Sequence, residues 1–275
     1  MRLFSPAKIN LFLRVLRKRE DGYHDLASLF QAIDLGDYLT FSLSSQDSLI
    51  CTDPSLPCDG TNLIQKAVEL FRKKTGLTFG IRIHLEKHIP IQSGLGGGSS
   101  NAATTLWGLN VLLGSPATTQ QLASWAGEIG SDISFFLSQG SAYCTGRGEI
   151  VRDISPLTQI GPLWIVKPQE GLSTPLIFKN LFLERDCSNF DPEALLASFA
   201  SSPNFTNDLE APAFRVMPSL KTLKETLLEK GFSHATMTGS GTGFFCFGPK
   251  EFQMKEVFIR QASFISRPVN AWYAF

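Results

Sequence analysis

The chain runs to 275 residues, enough for one large or two medium domains with a substantial core. With 43% hydrophobic and 18% charged residues, its composition is that of an ordinary soluble protein and excludes a disordered or fibrous one. Lys plus Arg and Asp plus Glu both total 25, so no net field recruits nucleic acid or a membrane surface.

In chain order, the first element expected is a strand, because Ile9, Leu11, Leu13 and Val15 alternate in KINLFLRVL. Lys8 and Asn10 interrupt what would otherwise be a signal-peptide core, and no stretch has the length of a membrane span, so a cytoplasmic protein is expected. YLTFSL repeats the strand period with Leu39, Phe41 and Leu43. Residues 61–76 carry Leu63, Ile64, Ala67, Val68 and Phe71 at helical spacing, with Thr61 or Asn62 as the cap and Gly76 as the stop. Phe79, Ile81, Ile83 and Leu85 form a third strand that runs toward PIQSGLGGGSSNAATTLWGLN, residues 90–110. Four glycines and two serines fall within the seven residues from Gly94 to Ser100, and helical spacing resumes with Ala102, Ala103, Leu106, Leu109 and Leu113. The glycines therefore bridge a strand and a helix. A helix over 119–128 capped by Thr118 or Thr119, a short one within 131–140, and a hairpin in SAYCTGRGEIVRDI follow. SPLTQIGP, near residues 155–162, marks a domain boundary. Beyond it come the strand LWIVKP, two or three helices including PSLKTLKETLLEKG, and HATMTGSGTGFFCFG, a tight turn entering a buried strand from Phe244 to Phe247.

The glycine run fits neither familiar phosphate template. A Walker A loop requires a lysine after its last glycine, but Ser99 follows Gly98 and no lysine occurs between Lys87 and Lys167. The dinucleotide fingerprint finds Ser99 or Asn101 where its third glycine belongs. What remains is their shared physics: glycines admit close backbone approach and positive φ, and a helix N-terminus behind them favours an anion. On the residues alone the segment is an anion loop or a structural turn. Two other residues invite chemistry. Lys8 sits in an apolar strand, as an outward-facing member or a catalytic cation, and Asp132 in GSDISFF is either a helix cap or a proton acceptor. His84 and His88 form HxxxH, but a strand leaves such side chains far apart and the acid of HExxH is missing, so no metal ligand set is expected. The five cysteines, odd in number and without a CxxC pair, are expected as free thiols.

Taken together, SPAKINLFL (5–13), PIQSGLGGGSSNAA (90–103) and TGSGTGFF (238–245) resemble the three signature motifs of the GHMP kinases, which phosphorylate small molecules with ATP. DGYHDLASLFQAIDLGD (21–37), IGSDISFF (129–136) and STPLIF (173–178) extend the likeness over most of the chain. The resemblance implies an α/β (α+β) two-domain GHMP kinase fold with mixed sheets and the active site in the cleft between the domains. Residues 1–155 would form the N-terminal ATP-binding domain and 156–275 the C-terminal one. It implies ATP and Mg2+, with the nucleotide held by Pro90, Ile91, Gln92, Ser93, Gly94, Leu95, Gly96, Gly97, Gly98, Ser99 and Ser100, and with Ser99 or Ser100 placing the magnesium ion. Lys8 and Asp132 match the family's catalytic pair. The acceptor implied is 4-diphosphocytidyl-2-C-methyl-D-erythritol, phosphorylated on its 2-hydroxyl for isoprenoid precursor synthesis. Tyr23, His24, Phe30 and Phe178 would line its base pocket and Asn10 would lie near its methylerythritol end. A homoserine- or mevalonate-type kinase would share the loop, as would a non-catalytic nucleotide sensor; the aromatic and histidine of DGYHDL argue against the first, and joint retention of Lys8 and Asp132 against the second. Thr242-Gly243 departs from the usual third motif, and the extra glycine is expected to leave the turn intact. No nucleic-acid or membrane partner is expected, and the chain would be a monomer or weak homodimer.

Overall fold

The computed structural model describes residues 1–187 and 191–274. Two long antiparallel strands, β1 (Arg2–Lys18) and β2 (His24–Ser44), form its spine. Both are much longer than the alternations that announce them. The reason is burial on both faces: from Phe4 to Val15 every residue of β1 is buried, so the half-buried alternation expected of an outer strand is not the rule that governs it. Register shifts between Pro6 and Ala7 and between Asn10 and Phe12 bend the pair and separate Ile9 and Leu11 from Leu13 and Val15, which enter a different core.

The chain continues through β3 (Ser48–Cys51), α1 (Leu63–Thr75) and β4 (Gly80–Glu86). Asn62 caps α1 by accepting the Ile64 N–H at 2.9 Å, and Gly76 ends it at φ +71°, the left-handed stop that glycine favours. Next come α2 (Gly97–Leu112), α3 (Thr119–Ile129) under a Thr118–Gln121 capping box, a 3-10 turn over Ser134–Leu137, β5 (Ser141–Gly146) and β6 (Ile150–Asp153). Among the described residues these strands, with the short β8 (Thr206–Asn207), make a seven-stranded mixed sheet. Opposite β1, one edge of β2 is shared, with Tyr38–Ser44 pairing with β4 and Leu26–Gln31 with β5.

The second half supplies β7 (Leu163–Pro168), then α4 (Thr174–Lys179), α5 (Leu183–Asp186), α6 (Pro192–Ser198), α7 (Glu210–Val216) and α8 (Ser219–Glu229). It closes with β9 (His234–Met237), β10 (Phe244–Phe247) and β11 (Val257–Ala262), which join β7 in an antiparallel sheet ordered β11-β7-β10-β9. The period of two is visible in how β7 and β10 divide their side chains. Leu163, Ile165, Phe245 and Phe247 join Ile9, Leu11 and Leu29 in the core between the sheets, while Trp164, Val166, Phe244 and Cys246 join Leu220, Leu223 and Leu227 of α8. A further core sets α1, α2 and α3 against β2 and β4 through Phe41, Ile83, Val68, Phe71 and Leu106. The halves are interwoven: β8 pairs with β1, Phe264 bridges to Ile33, and Trp272 stacks on Trp107 and donates its indole N–H to the Phe4 carbonyl.

Candidate active site

Lys8 and Asn10 occupy the β1 face opposite Ile9 and Leu11, and this polar face is the floor of a cleft of about 580 Å³. The strand reading that points Lys8 at solvent does not hold, because the residue is 2% exposed. Its ammonium donates to Asn10 Oδ1 at 2.6 Å, lies 3.3 Å from Asp132 Oδ2 and sits 4.6 Å from the Phe30 ring centroid. Asp132 does not cap the 3-10 turn, whose N-cap position is Ile133 without a side-chain bond. The carboxylate is one-third exposed and free to meet a ligand.

The glycine loop closes over this pair. Its Leu95 carbonyl accepts the Lys8 backbone N–H at 2.9 Å, and Gly96, at φ +71°, immediately precedes α2 with no side chain capping the helix. The first N–H groups of α2 are thus left for a ligand. Gly94 and Gly241 let this loop dock on the third motif. A Cβ on Gly94 would lie 1.8 Å from the Thr238 carbonyl oxygen, and one on Gly241 2.0 Å from the Gly94 nitrogen. The Thr242-Gly243 departure keeps the turn: Gly243 N–H donates to Ser93 O at 3.0 Å and the Thr242 hydroxyl to Glu170 O at 2.8 Å. Two smaller recesses flank the loop. One of about 280 Å³ is bordered by Gln92, Gly94, Gly96, Thr174 and Gly239 to Gly241 and shares Lys8 and Asp132 with the cleft. The other, about 180 Å³, lies between Lys87 and the loop residues 90–94 and 96–98.

Not every residue of the loop offers its side chain. Leu95 is buried in the core between the sheets, the Ser93 hydroxyl donates to Pro90 O at 2.7 Å, and Ser100 is buried against Ser5, their hydroxyls 2.8 Å apart. Of the two serines expected to place a cation, only Ser99 borders the cleft. Ile91 and Gln92 are exposed, Gln92 bordering both flanking recesses and Ile91 the smaller one. Similar revisions apply to the acceptor end. His24 stacks on Phe178 of α4, centroids 4.9 Å apart and planes at 26°. Burial, and then the charge of Lys18, lower the His24 pKa from its ordinary 6.5, so the neutral ring is favoured. Phe30 does not join that stack. It pairs across from Asn10 on β2, which puts it under Lys8 at the reactive end. Tyr23, 57% exposed, sits at the mouth under the Arg147 guanidinium. Asn10 serves Lys8 and Thr238 first: its Oδ1 accepts from both, and its N–H donates to Thr238 Oγ1 at 3.0 Å.

Comparison with known proteins supplies the family. Residues 62–140 match the GHMP kinases N terminal domain and residues 187–258 the GHMP kinases C terminal. The chain is 53% identical to the 4-diphosphocytidyl-2-C-methyl-D-erythritol kinase of Protochlamydia amoebophila, across 100% of this chain and 93% of that one. It belongs to the 4-diphosphocytidyl-2-C-methyl-D-erythritol kinase family, within the GHMP kinases. The chloroplastic kinase of that name from Arabidopsis thaliana is 48% identical, over 99% of this chain and 76% of its own. A crystal structure of 4-(cytidine 5'-diphospho)-2C-methyl-D-erythritol kinase superposes with a TM-score of 0.75 at 35% identity, covering 90% of each chain. Homoserine kinase from Cytophaga hutchinsonii shares the fold, with a TM-score of 0.71 at 17% identity over 97% of this chain and 95% of that one.

Two buried polar residues that the sequence reading did not name as site residues hold the loops in place. Asn207 of β8 donates to the carbonyls of Met237 and Gly239 and so fixes the third motif. Asp37, fully buried, accepts from Lys87 Nζ, Asn101 Nδ2 and the backbone N–H groups of His88 and Ile89, anchoring both ends of the glycine loop. Asp37 lies within β2 and Asn207 in β8, and only the chain crossings make them specific.

Proposed function

We propose that this kinase transfers the γ-phosphoryl group of ATP to the 2-hydroxyl of 4-diphosphocytidyl-2-C-methyl-D-erythritol, giving the 2-phosphate and ADP in the non-mevalonate route to isoprenoid precursors. One observation carries the reading. A single cleft holds the Lys8–Asp132 pair at 3.3 Å and, among its other lining residues, the His24–Phe178 stack suited to a nucleobase.

The chemistry follows from the contacts. Asp132 takes the proton of the acceptor hydroxyl as its oxygen bonds to the γ-phosphorus and the bond from phosphorus to the departing ADP oxygen breaks. Lys8, fixed by Asn10, orients the carboxylate and offsets charge on the transferred group. The recess that shares Lys8 and Asp132 with the cleft is where γ-phosphate and hydroxyl meet, beside the uncapped start of α2. Magnesium brought in with ATP would neutralise phosphate charge. Among the described residues no group of three or more His, Cys, Asp or Glu is arranged to hold a metal, and the Ser99 hydroxyl on the cleft wall suits an ion carried mainly by phosphates. Residues 1–155 act as the ATP-binding unit and 156–275 as its complement, in a cytoplasmic monomer or weak homodimer. Among the described residues no helix is long and apolar enough to cross a membrane.

An ADP-release assay with the cytidine diphosphate acceptor, run beside mevalonate and homoserine, tests the assignment. Faster turnover of either small acceptor overturns it.

A further inference from the structure

We propose that Arg147 grips the diphosphate that links base and polyol in the acceptor, an inference that rests on the function proposed above. Such an acceptor carries its negative charge in its middle, between the part that stacks and the part that reacts. The cleft must therefore offer a cation between its two ends. Lys8 is committed to Asn10 and Asp132 at the reactive end. Lys18 and Lys179 border the cleft from exposed positions beside His24 and Phe178. Arg147 is the one arginine bordering it among the described residues.

Its hairpin runs between the mouth and the reactive end. The guanidinium carbon lies 5.1 Å from the Tyr23 ring centroid, toward the mouth. The next residue, Gly148, lies against the catalytic carboxylate, since a Cβ there would be 3.2 Å from Asp132 Oδ1. The hairpin from β5 to β6 is built to present this side chain. Gly146 at φ +71° and Gly148 at φ +117° take conformations that side chains resist, and Gly148 N–H closes the turn on Thr145 O at 3.1 Å. Glu149 Oε2 accepts the Arg147 backbone N–H at 2.6 Å, and its Oε1 stands 3.5 Å from Arg147 Nε. The terminal guanidinium nitrogens donate no hydrogen bond among the described residues, which leaves the fork open for two phosphate oxygens.

The test compares ligands that differ only in the diphosphate. CDP and cytidine are titrated by calorimetry into the parent and into Arg147→Met, with the nucleotide loop saturated by a non-hydrolysable ATP analogue. The variant is expected to lose roughly 10- to 100-fold in CDP affinity, the scale of a charge-assisted contact, and to hold cytidine within about twofold. KM for the full acceptor should rise in parallel while KM for ATP stays put, and Arg147→Lys should recover part of the loss. Equal losses for CDP and cytidine would mean that Arg147 only steadies Tyr23, and unchanged affinities would mean that it touches neither ligand; each result overturns the proposal. A parent that fails to phosphorylate the cytidine diphosphate acceptor instead overturns the functional reading, and the Arg147 assignment falls with it.

Discussion

Lys8 and Asp132 sit where a single substitution reports on the chemistry alone. Asp132→Asn keeps the shape of the side chain but removes the proton acceptor, so kcat should fall by about 10²- to 10⁴-fold with acceptor KM little changed. Lys8→Met should also lower kcat, and the double variant should lose much less than the product of the two single losses, because the residues act as a unit at 3.3 Å. Independent, multiplicative losses in steady-state kinetics would break the pairing. His24 gives a pH test. Its pKa is held below the ordinary 6.5 by burial and by Lys18, so the folded site binds the proton less readily than the unfolded chain. The favourable contribution of the neutral ring is complete above that ordinary value and is lost as pH falls below it. Because binding titrates the folded site, acceptor KM should rise only once pH falls through its lowered pKa, on the acid side of 6.5, and stay flatter in His24→Gln, with ATP KM as the control. Matching acid limbs in the two proteins would remove His24 from acceptor binding. The motif Lys8, Asp132, His24 was legible as residue types in sequence. The placement of Phe30 was not, because it depends on which β2 residue lies opposite Asn10.

At the scale of the element, the glycine loop serves two purposes that substitutions can separate. Gly94 is structural first: it holds φ +77° and its missing Cβ makes room for the Thr238 carbonyl. Gly94→Ala should cost at least about 1–2 kcal/mol from the backbone conformation alone, visible in urea unfolding, and more from the clash. Gly98 differs. It lies in the first turn of α2 without positive φ, exposed, and a Cβ would meet only Leu63 Cδ1 at an ordinary 3.4 Å. Gly98→Ala should leave folding unharmed, or stabilise it by roughly 0.5–1 kcal/mol, yet raise ATP KM if the loop cradles phosphates. A variant with parental ATP KM would reduce the loop to a turn. The sequence announced the loop and the helix behind it through glycine spacing and apolar period. It did not announce that Gly94 serves loop-to-loop packing, since Gly241 and Gly94 are far apart in the chain and meet only when the second half docks.

At the scale of the whole molecule, the C-terminal segment ties the ends together. Trp272 stacks on Trp107 at 5.2 Å and bonds the Phe4 carbonyl, while Arg267 donates to the carbonyls of Leu137, Ser138 and Ala271. Trp272→Ala should cost about 3–5 kcal/mol in urea unfolding, as for other buried aromatic truncations. Because the core between the sheets draws on both halves, unfolding by fluorescence and by circular dichroism should coincide in one transition; separate transitions would show that the halves melt alone. The sequence by itself determined what short-range chemistry sets: the strand and helix periods, helix caps to within one residue (Thr61 or Asn62, Thr118 or Thr119), the stop at Gly76, the glycine loop, and the residue types of the catalytic pair. Tertiary structure alone decided which side of β1 carries Lys8 to the cleft, which serine borders it, and which long-range partners, Asn207 and Asp37, hold the loops in place. Those facts depend on register and on contacts between residues distant in the chain, and a one-residue slip in a strand exchanges its two faces without changing its local pattern.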